Sequence, residues 1–454
     1  MLNTRQPRLA ALAAAALTLF TAVNAASATL EGWALMGANT FADGPTSGQF
    51  ATGAGGNPLP LLNKQPVQGF SAVLAGPTAG SFVFMADNGF GTQGNSADTL
   101  LRLYAVTPNF RTATGGAGSV SAANFSTGAA MAGFTAGSHL TLSDPNHLLS
   151  IKVQADYTRY YNSAANPLVD PSIRSNRLLT GADLDVESVR KDKNGNYWFG
   201  DEFGPYLIKT NAQGEVLRRE IGMLGVASPQ NEAVVNGTIA PTLARSAGFE
   251  GMASSPDGSR LYTLLEGTVT GDPAKTLRIN AFSIDTEAYT GEQWRYQLEG
   301  AGTNIGDMTA INDHEFLVIE RNGATATSGT PFKKIFKVDL NVVDASGNLV
   351  KTEVVDLMNL ADPNDLNGDG SAAFTFPFTT IESVLILDAH TLLVANDNNY
   401  PGTGGRDLGS DNTEFLKIHL DQALNVSPVP EPASLALLLG GLGLIALKRR
   451  RQRG

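Results

Sequence analysis

Residues 183–206 read DLDVESVRKDKNGNYWFGDEFGPY and crowd carboxylates at both ends of one short hairpin. Asp183, Asp185 and Glu187 come first, the turn signal Asn194-Gly195 follows, and the run Tyr197-Trp198-Phe199 ends on Asp201-Glu202. Such a hairpin, apolar in the middle and acidic at both ends, is costly to desolvate unless a cation neutralises it. Carboxylate oxygens in this number suit Ca²⁺, which accepts six to eight oxygens in flexible geometry, better than Zn²⁺.

The unit recurs. Phe249-Glu250-Gly251-Met252 leads through Pro256-Asp257-Gly258 to an apolar strand ending on Glu266. Asp307-Met308-Thr309-Ala310 leads to a strand ending on Glu320-Arg321, and Ile381-Glu382-Ser383-Val384 to one ending on Asn396-Asp397. Earlier, Phe70-Ser71-Ala72-Val73 leads to Phe82-Val83-Phe84-Met85 and Asp87-Asn88. The openings fall at 71, 187, 250, 307 and 382, and the first gap is about twice the others, which predicts a cryptic unit over 139–151.

Six units of roughly 60 residues predict an all-β, six-bladed β-propeller, with 30–36 and 414–420 sharing the closing blade. A pair of β-sandwiches is the alternative. In a propeller the innermost strands face a central channel. Glu187, Glu250, Asp307 and Glu382 would then converge there, with Asp201, Glu202, Glu320 and Asp397 from the partner ends and Asp185 beside Glu187. A second calcium candidate, Asp365-Leu366-Asn367-Gly368-Asp369-Gly370, opens like an EF-hand loop, but its twelfth position is Phe376 and no flanking helices are evident.

Composition narrows the chemistry. With no cysteine, thiol nucleophiles, thiolate metal sites and iron–sulfur clusters are excluded. There is no G-x-S-x-G elbow, and the five histidines lie far from any distinctive serine. The 49 glycines favour tight turns over long helices. The formal net charge is −11, and setting aside the two ends, which carry mostly basic residues, leaves a body more acidic still. Such a body repels nucleic acid.

Both ends read as targeting segments. Arg5 and Arg8, the apolar run 9–20 and two A-x-A-like sites at 23–28 predict a signal peptide over 1–28, removed by signal peptidase. At the other end Pro430-Glu431-Pro432 precedes the apolar run 433–447 and Lys448-Arg449-Arg450-Arg451. These three parts in this order resemble the PEP-CTERM sorting signal of Gram-negative bacteria. The resemblance implies a transmembrane segment at 433–447, processing by an exosortase-type protease, and delivery to the cell envelope or exterior.

The motifs DEFGPY, Gly248-Phe249-Glu250-Gly251, Ile305-Gly306-Asp307-Met308-Thr309-Ala310, Ile319-Glu320-Arg321, Thr380-Ile381-Glu382, Asn396-Asp397-Asn398-Asn399 and Asp411-Asn412-Thr413-Glu414 together resemble the phytase-like domain, described as "esterase-like activity of phytase". The domain would occupy 29–425, followed by the sorting signal at 426–454. The resemblance implies calcium dependence and hydrolysis of phosphate esters by a metal-activated water; the lack of a lysine-rich cluster argues for a small phosphorylated molecule rather than phytate. Arg321, Arg406 and Tyr206 are the candidate donors to phosphate oxygens, with Lys209 behind them. The alternative is a non-catalytic envelope propeller with structural calcium that binds exopolysaccharide or protein.

Overall fold

Short apolar runs punctuated by Asx-Gly and Pro-containing turns form strands almost throughout. Pro171–Ser175 and Glu232–Val235 are the α-helices among the described residues. The computed structural model describes residues 28–427 except 52–58, 157–168, 403 and 407. The expected leader up to residue 27, the Pro-Glu-Pro motif and the run 433–447 lie outside the described residues. Among the described residues no helix is long and apolar enough to cross a membrane.

The strands form antiparallel units arranged as a propeller-like ring. The first holds Phe70–Ala75, Phe82–Ala86, Arg102–Asn109 and Ser119–Ala122. The second holds Val186–Lys191, Tyr197–Asp201, Tyr206–Thr210 and the short Ile221–Gly222. The third runs Phe249–Ser254, Arg260–Leu265, Thr276–Ser283 and Ala288–Gln297. The fourth runs Asn304–Ala310, Glu315–Arg321, Lys333–Val343 and Leu349–Asp356. The last combines Thr380–Asp388, Thr391–Asp397 and Thr413–Leu420 with the first described strand, Ala28–Met36. Leu30 lies opposite Ile418 and Met36 opposite Thr413, so the two ends of the domain close the ring in one sheet, as expected.

Among the described residues the innermost strands of these five units touch one another in a closed circle, Phe70–Ala75 meeting both Val186–Lys191 and Thr380–Asp388. The expectation of a sixth unit at 139–151 therefore needs correcting. His139–Thr141 adds instead to the first sheet, Arg102 opposite Thr141. The residues after it do not form a hairpin, because Asp144 turns the chain by accepting from the backbone N–H of Leu148 and Leu149. Leu142, Leu149 and Ile151 are spent filling the gap between the first and second sheets.

Each gap between neighbouring sheets holds its own apolar cluster, which is what keeps the ring shut. Trp198 of the second sheet meets Phe282 of the third at 5.2 Å between ring centroids. Phe415 of the last sheet packs edge-on against Phe84 of the first at 5.1 Å. Burying a side chain of this size contributes roughly 1.5–3 kcal/mol.

Candidate metal centre

All five inner strands carry a β-bulge near their start, and the bulges aim the site. Pairing skips Ser71 between Phe70 and Ala72, Glu187 between Val186 and Ser188, Glu250 between Phe249 and Gly251, and Glu382 between Ile381 and Ser383. In the fourth strand it skips Gly306 and Asp307. A bulged residue leaves the ladder and its side chain is re-aimed. The second strand of each unit returns to the same end, and the residue just beyond the bulge's partner completes the set: Asp87, Glu202, Glu266, Arg321 and Asp397. Two tiers result, one of Ser71, Glu187, Glu250, Gly306 and Glu382, the other of these four acids and one arginine.

Asp185, Glu187 and Glu202 each offer an oxygen within 4.8 Å of the others, and Glu202, Glu250 and Glu266 do the same. Glu202 belongs to both groups. Asn88 donates from Nδ2 to Asp185 at 2.6 Å, and Ser71 donates to Glu382 at 3.2 Å. The Arg321 guanidinium lies at 2.6 Å from Glu382, 3.2 Å from Glu250 and 3.5 Å from Glu266. One guanidinium cannot balance this many carboxylates in a site this dry. Burial raises Glu187, Glu202, Glu250 and Asp87 well above the usual carboxylate range, and carboxylate neighbours add to the rise. Burial also lifts Asp185 to about 6, Asp397 upward, and Glu382 to about 7 against the pull of Arg321.

The donor set fits a hard divalent cation. Every ligand in the two groups is a carboxylate oxygen, with no nitrogen or sulfur among them. Glu202 is only 6 % exposed, yet among the described residues its Oε1 has no hydrogen-bond partner, and the buried Oδ1 of Asn88 next to Asp185 has none either. Buried acceptors left unpaired cost on the order of 1–3 kcal/mol each. A cation between the triads would satisfy Glu202 and relieve the charge repulsion together.

The structure brings six of the expected metal ligands to this mouth: Asp185, Glu187, Glu202, Glu250, Glu382 and Asp397. It places three elsewhere. Asp201 and Glu320 stand one residue before Glu202 and Arg321, and side chains of a strand alternate faces. Asp201 accepts from the backbone N–H of Asp185 at 2.9 Å and of Gly204 at 2.7 Å. Glu320 accepts from Tyr296 Oη at 2.8 Å and from Lys351 Nζ at 2.6 Å. Asp307, one step past the tier position that Gly306 occupies, pairs with Arg190 at 2.8 Å farther down the channel.

Of the expected phosphate donors, Arg321 is at the site. Arg406 instead makes a two-pronged pair with Glu414 at 2.9 and 3.0 Å and lies over Phe374 and Phe378. Tyr206 accepts from the Glu232 backbone N–H at 3.3 Å, and Lys209 pairs with Glu287 at 2.6 Å. In the EF-hand-like loop, Asp365 accepts from Gly370 N–H at 3.0 Å and Asp369 from Asn367 Nδ2 at 2.8 Å, so its acids are spent on its own turn. Asp87 and Glu266 are site residues that the sequence reasoning did not assign as ligands. The signal was present, since both close their hairpins where Glu202 and Asp397 close theirs.

No curated protein matches the chain. Among solved structures it is similar to a calcium-binding protein, regucalcin, from Agrobacterium tumefaciens strain C58, at 12% identity over 79% of this chain and 91% of that one, TM-score 0.35. It is also similar to an exo-β-1,3-galactanase from Phanerochaete chrysosporium, at 12% identity over 82% and 63%, TM-score 0.36. A third is the GH43 endo-arabinanase from Bacillus licheniformis, at 10% identity over 78% and 95%, TM-score 0.34. Residues 428–452 match the PEP-CTERM protein-sorting motif, which implies export, sorting to the envelope or surface, and processing by an exosortase-type system. Residues 65–400, a span holding every carboxylate of the two tiers, match the model described as "Esterase-like activity of phytase", and the chain belongs to that phytase-like family.

Proposed function

We propose that the exported protein is a calcium-dependent hydrolase of phosphate esters, working at the acidic mouth. The observation that carries this reading is the pair of carboxylate triads joined at Glu202, with Arg321 beside them. Bound Ca²⁺ supplies a counter-charge for phosphate oxygens and acidifies coordinated water. Asp185, Glu187, Glu202, Glu250 and Glu266 would hold the cations. Arg321 Nε, buried and without a partner among the described residues, is a donor left over for a substrate oxygen. In the net reaction a water oxygen bonds to phosphorus, the ester P–O bond breaks, and a proton goes to the departing alcohol. Ser71 and Gly306 are the uncharged members of the inner-strand tier, Ser71 donating to Glu382 and Gly306 packed against the Ile381 carbonyl.

A second reading, a non-catalytic envelope propeller with structural calcium that binds exopolysaccharide or protein, is favoured by one observation. Arg321 is already held by three carboxylates, which makes it a ring brace as well as a donor. A panel of phosphomonoesters and diesters, assayed with calcium or with chelator alongside metal analysis, separates the two. Turnover that chelator abolishes supports the hydrolase. No turnover on any ester, with a melting temperature that chelator still lowers, leaves the structural role. Unchanged metal content and stability in chelator would sink both.

A further inference from the structure

The inner strands run side by side in one sense, their starts together at the acidic mouth. Ser383 Oγ donates to the Phe70 carbonyl at 3.1 Å, and Gly306 lies against the Ile381 carbonyl. Their ends surround a second mouth, a cavity of about 280 Å³ lined by Ala75, Ser254, Ile311 and Ile386. The last described residues run onto this mouth. Leu424 N–H donates to Ala389 at 2.7 Å, Asn312 Nδ2 donates to the Asn425 carbonyl at 3.0 Å, and Ser427 N–H donates to Ile311 at 3.0 Å. Val426 and Ser427 themselves line the cavity. The chain thus leaves the propeller beside its axis, on the face opposite the carboxylates.

Only residues 428–432 separate Ser427 from the apolar run that starts at Ala433. At full extension five residues reach about 17 Å. Turning the acidic mouth toward a membrane would need the tether to run outward past a four-stranded sheet and up its edge. At about 4.8 Å between strands and about 3.3 Å per residue along them, that path exceeds 30 Å. The tether is too short to make it. Adhesion does not decide the matter, because an acidic body is repelled by anionic headgroups.

We infer that, while 433–447 is in the membrane, the protein rests with its strand-end face toward the lipid surface and its acidic mouth toward the exterior. The partner of that face is the lipid surface itself. The inference rests on the apolar run acting as an anchor and is independent of the phosphoesterase reading.

The absence of cysteine makes the test clean. Asp313→Cys places a dye in an exposed turn on the strand-end face, and Ala274→Cys places one in an exposed loop at the acidic mouth. Each full-length variant is reconstituted into vesicles carrying an energy-transfer acceptor on the lipid headgroup. Transfer is expected to be markedly greater from 313 than from 274. A second pair, Lys193→Cys and Ser328→Cys, is expected to repeat the order and guards against one substitution misfolding. Equal transfer, a reversed order, or failure of the protein to float with the vesicles overturns the inference. No substrate is needed, so a catalytically silent protein reads out the same way.

Discussion

Glu202 is shared by both triads, and its buried Oε1 has no hydrogen-bond partner among the described residues. Its neighbour Asp201 is equally buried but spends its oxygens on backbone N–H groups. One residue of phase thus divides the proposed ligand from the brace. Glu202→Gln preserves the shape and removes the charge common to the two sites. Calorimetric titration of the metal-free variant with Ca²⁺ is expected to show affinity weakened at least ~10-fold. Glu320→Gln is the contrasting case, because Glu320 holds Tyr296 and Lys351 between strands and faces no triad. It is expected to leave calcium stoichiometry unchanged while lowering stability by about 1–3 kcal/mol, since Lys351 loses a buried charge partner. Unchanged calcium binding in Glu202→Gln would refute the shared-ligand geometry.

At the scale of the strand, the bulge is what turns a half-polar sheet edge into a site. Without it, period-two alternation would send Glu187, Glu250 and Glu382 into the gaps between sheets, where no cation partner waits. The fourth strand departs from the pattern because its bulge is wider and puts Gly306 where the second, third and last strands put a glutamate. A Cβ there would lie 2.1 Å from the Ile381 carbonyl oxygen, backbone that cannot step aside cheaply. Gly306→Ala is therefore expected to destabilise by about 1–3 kcal/mol, read as a lowered melting temperature with and without calcium. A neutral result would mean that the fourth and last inner strands are not packed this closely.

Across the whole molecule, the buried carboxylates make stability a function of pH and metal together. Asp185 is raised to about 6 and Glu382 to about 7, whereas in an unfolded chain such groups ionise near pH ~4. Between those values the folded, metal-free protein keeps protons that the unfolded chain has released. The stability these groups confer is thus fully present below pH ~4 and is lost as pH rises through 6 to 7. With chelator present, the melting temperature is expected to fall between pH 5 and pH 8. Adding Ca²⁺ at pH 8 is expected to restore it and release protons, measurable by calorimetry in buffers of different ionisation enthalpy. A metal-free melting temperature that rises over this range would overturn the account of the site.

Residue order alone specifies the materials: hairpins with apolar middles and acidic ends, on a chain that excludes thiol chemistry. That much is legible because residue type and short-range spacing set strand pattern, turn position and charge. It also marked the two strands that close the ring, Ala28–Met36 and Thr413–Leu420, since each reads as an unpartnered strand at an end of the domain. Packing chooses which residue of each neighbouring pair reaches the acidic mouth. Asp201 against Glu202, and Asp307 against Gly306, differ by one residue, and that residue is settled by where a bulge interrupts the pairing across the hairpin, which residue type and spacing leave open. It likewise decided how many sheets complete the circle, because the apolar residues at 142–151 fill a gap between sheets as readily as they would form a hairpin. Local pattern specifies that a side chain is to be buried; only packing specifies against what.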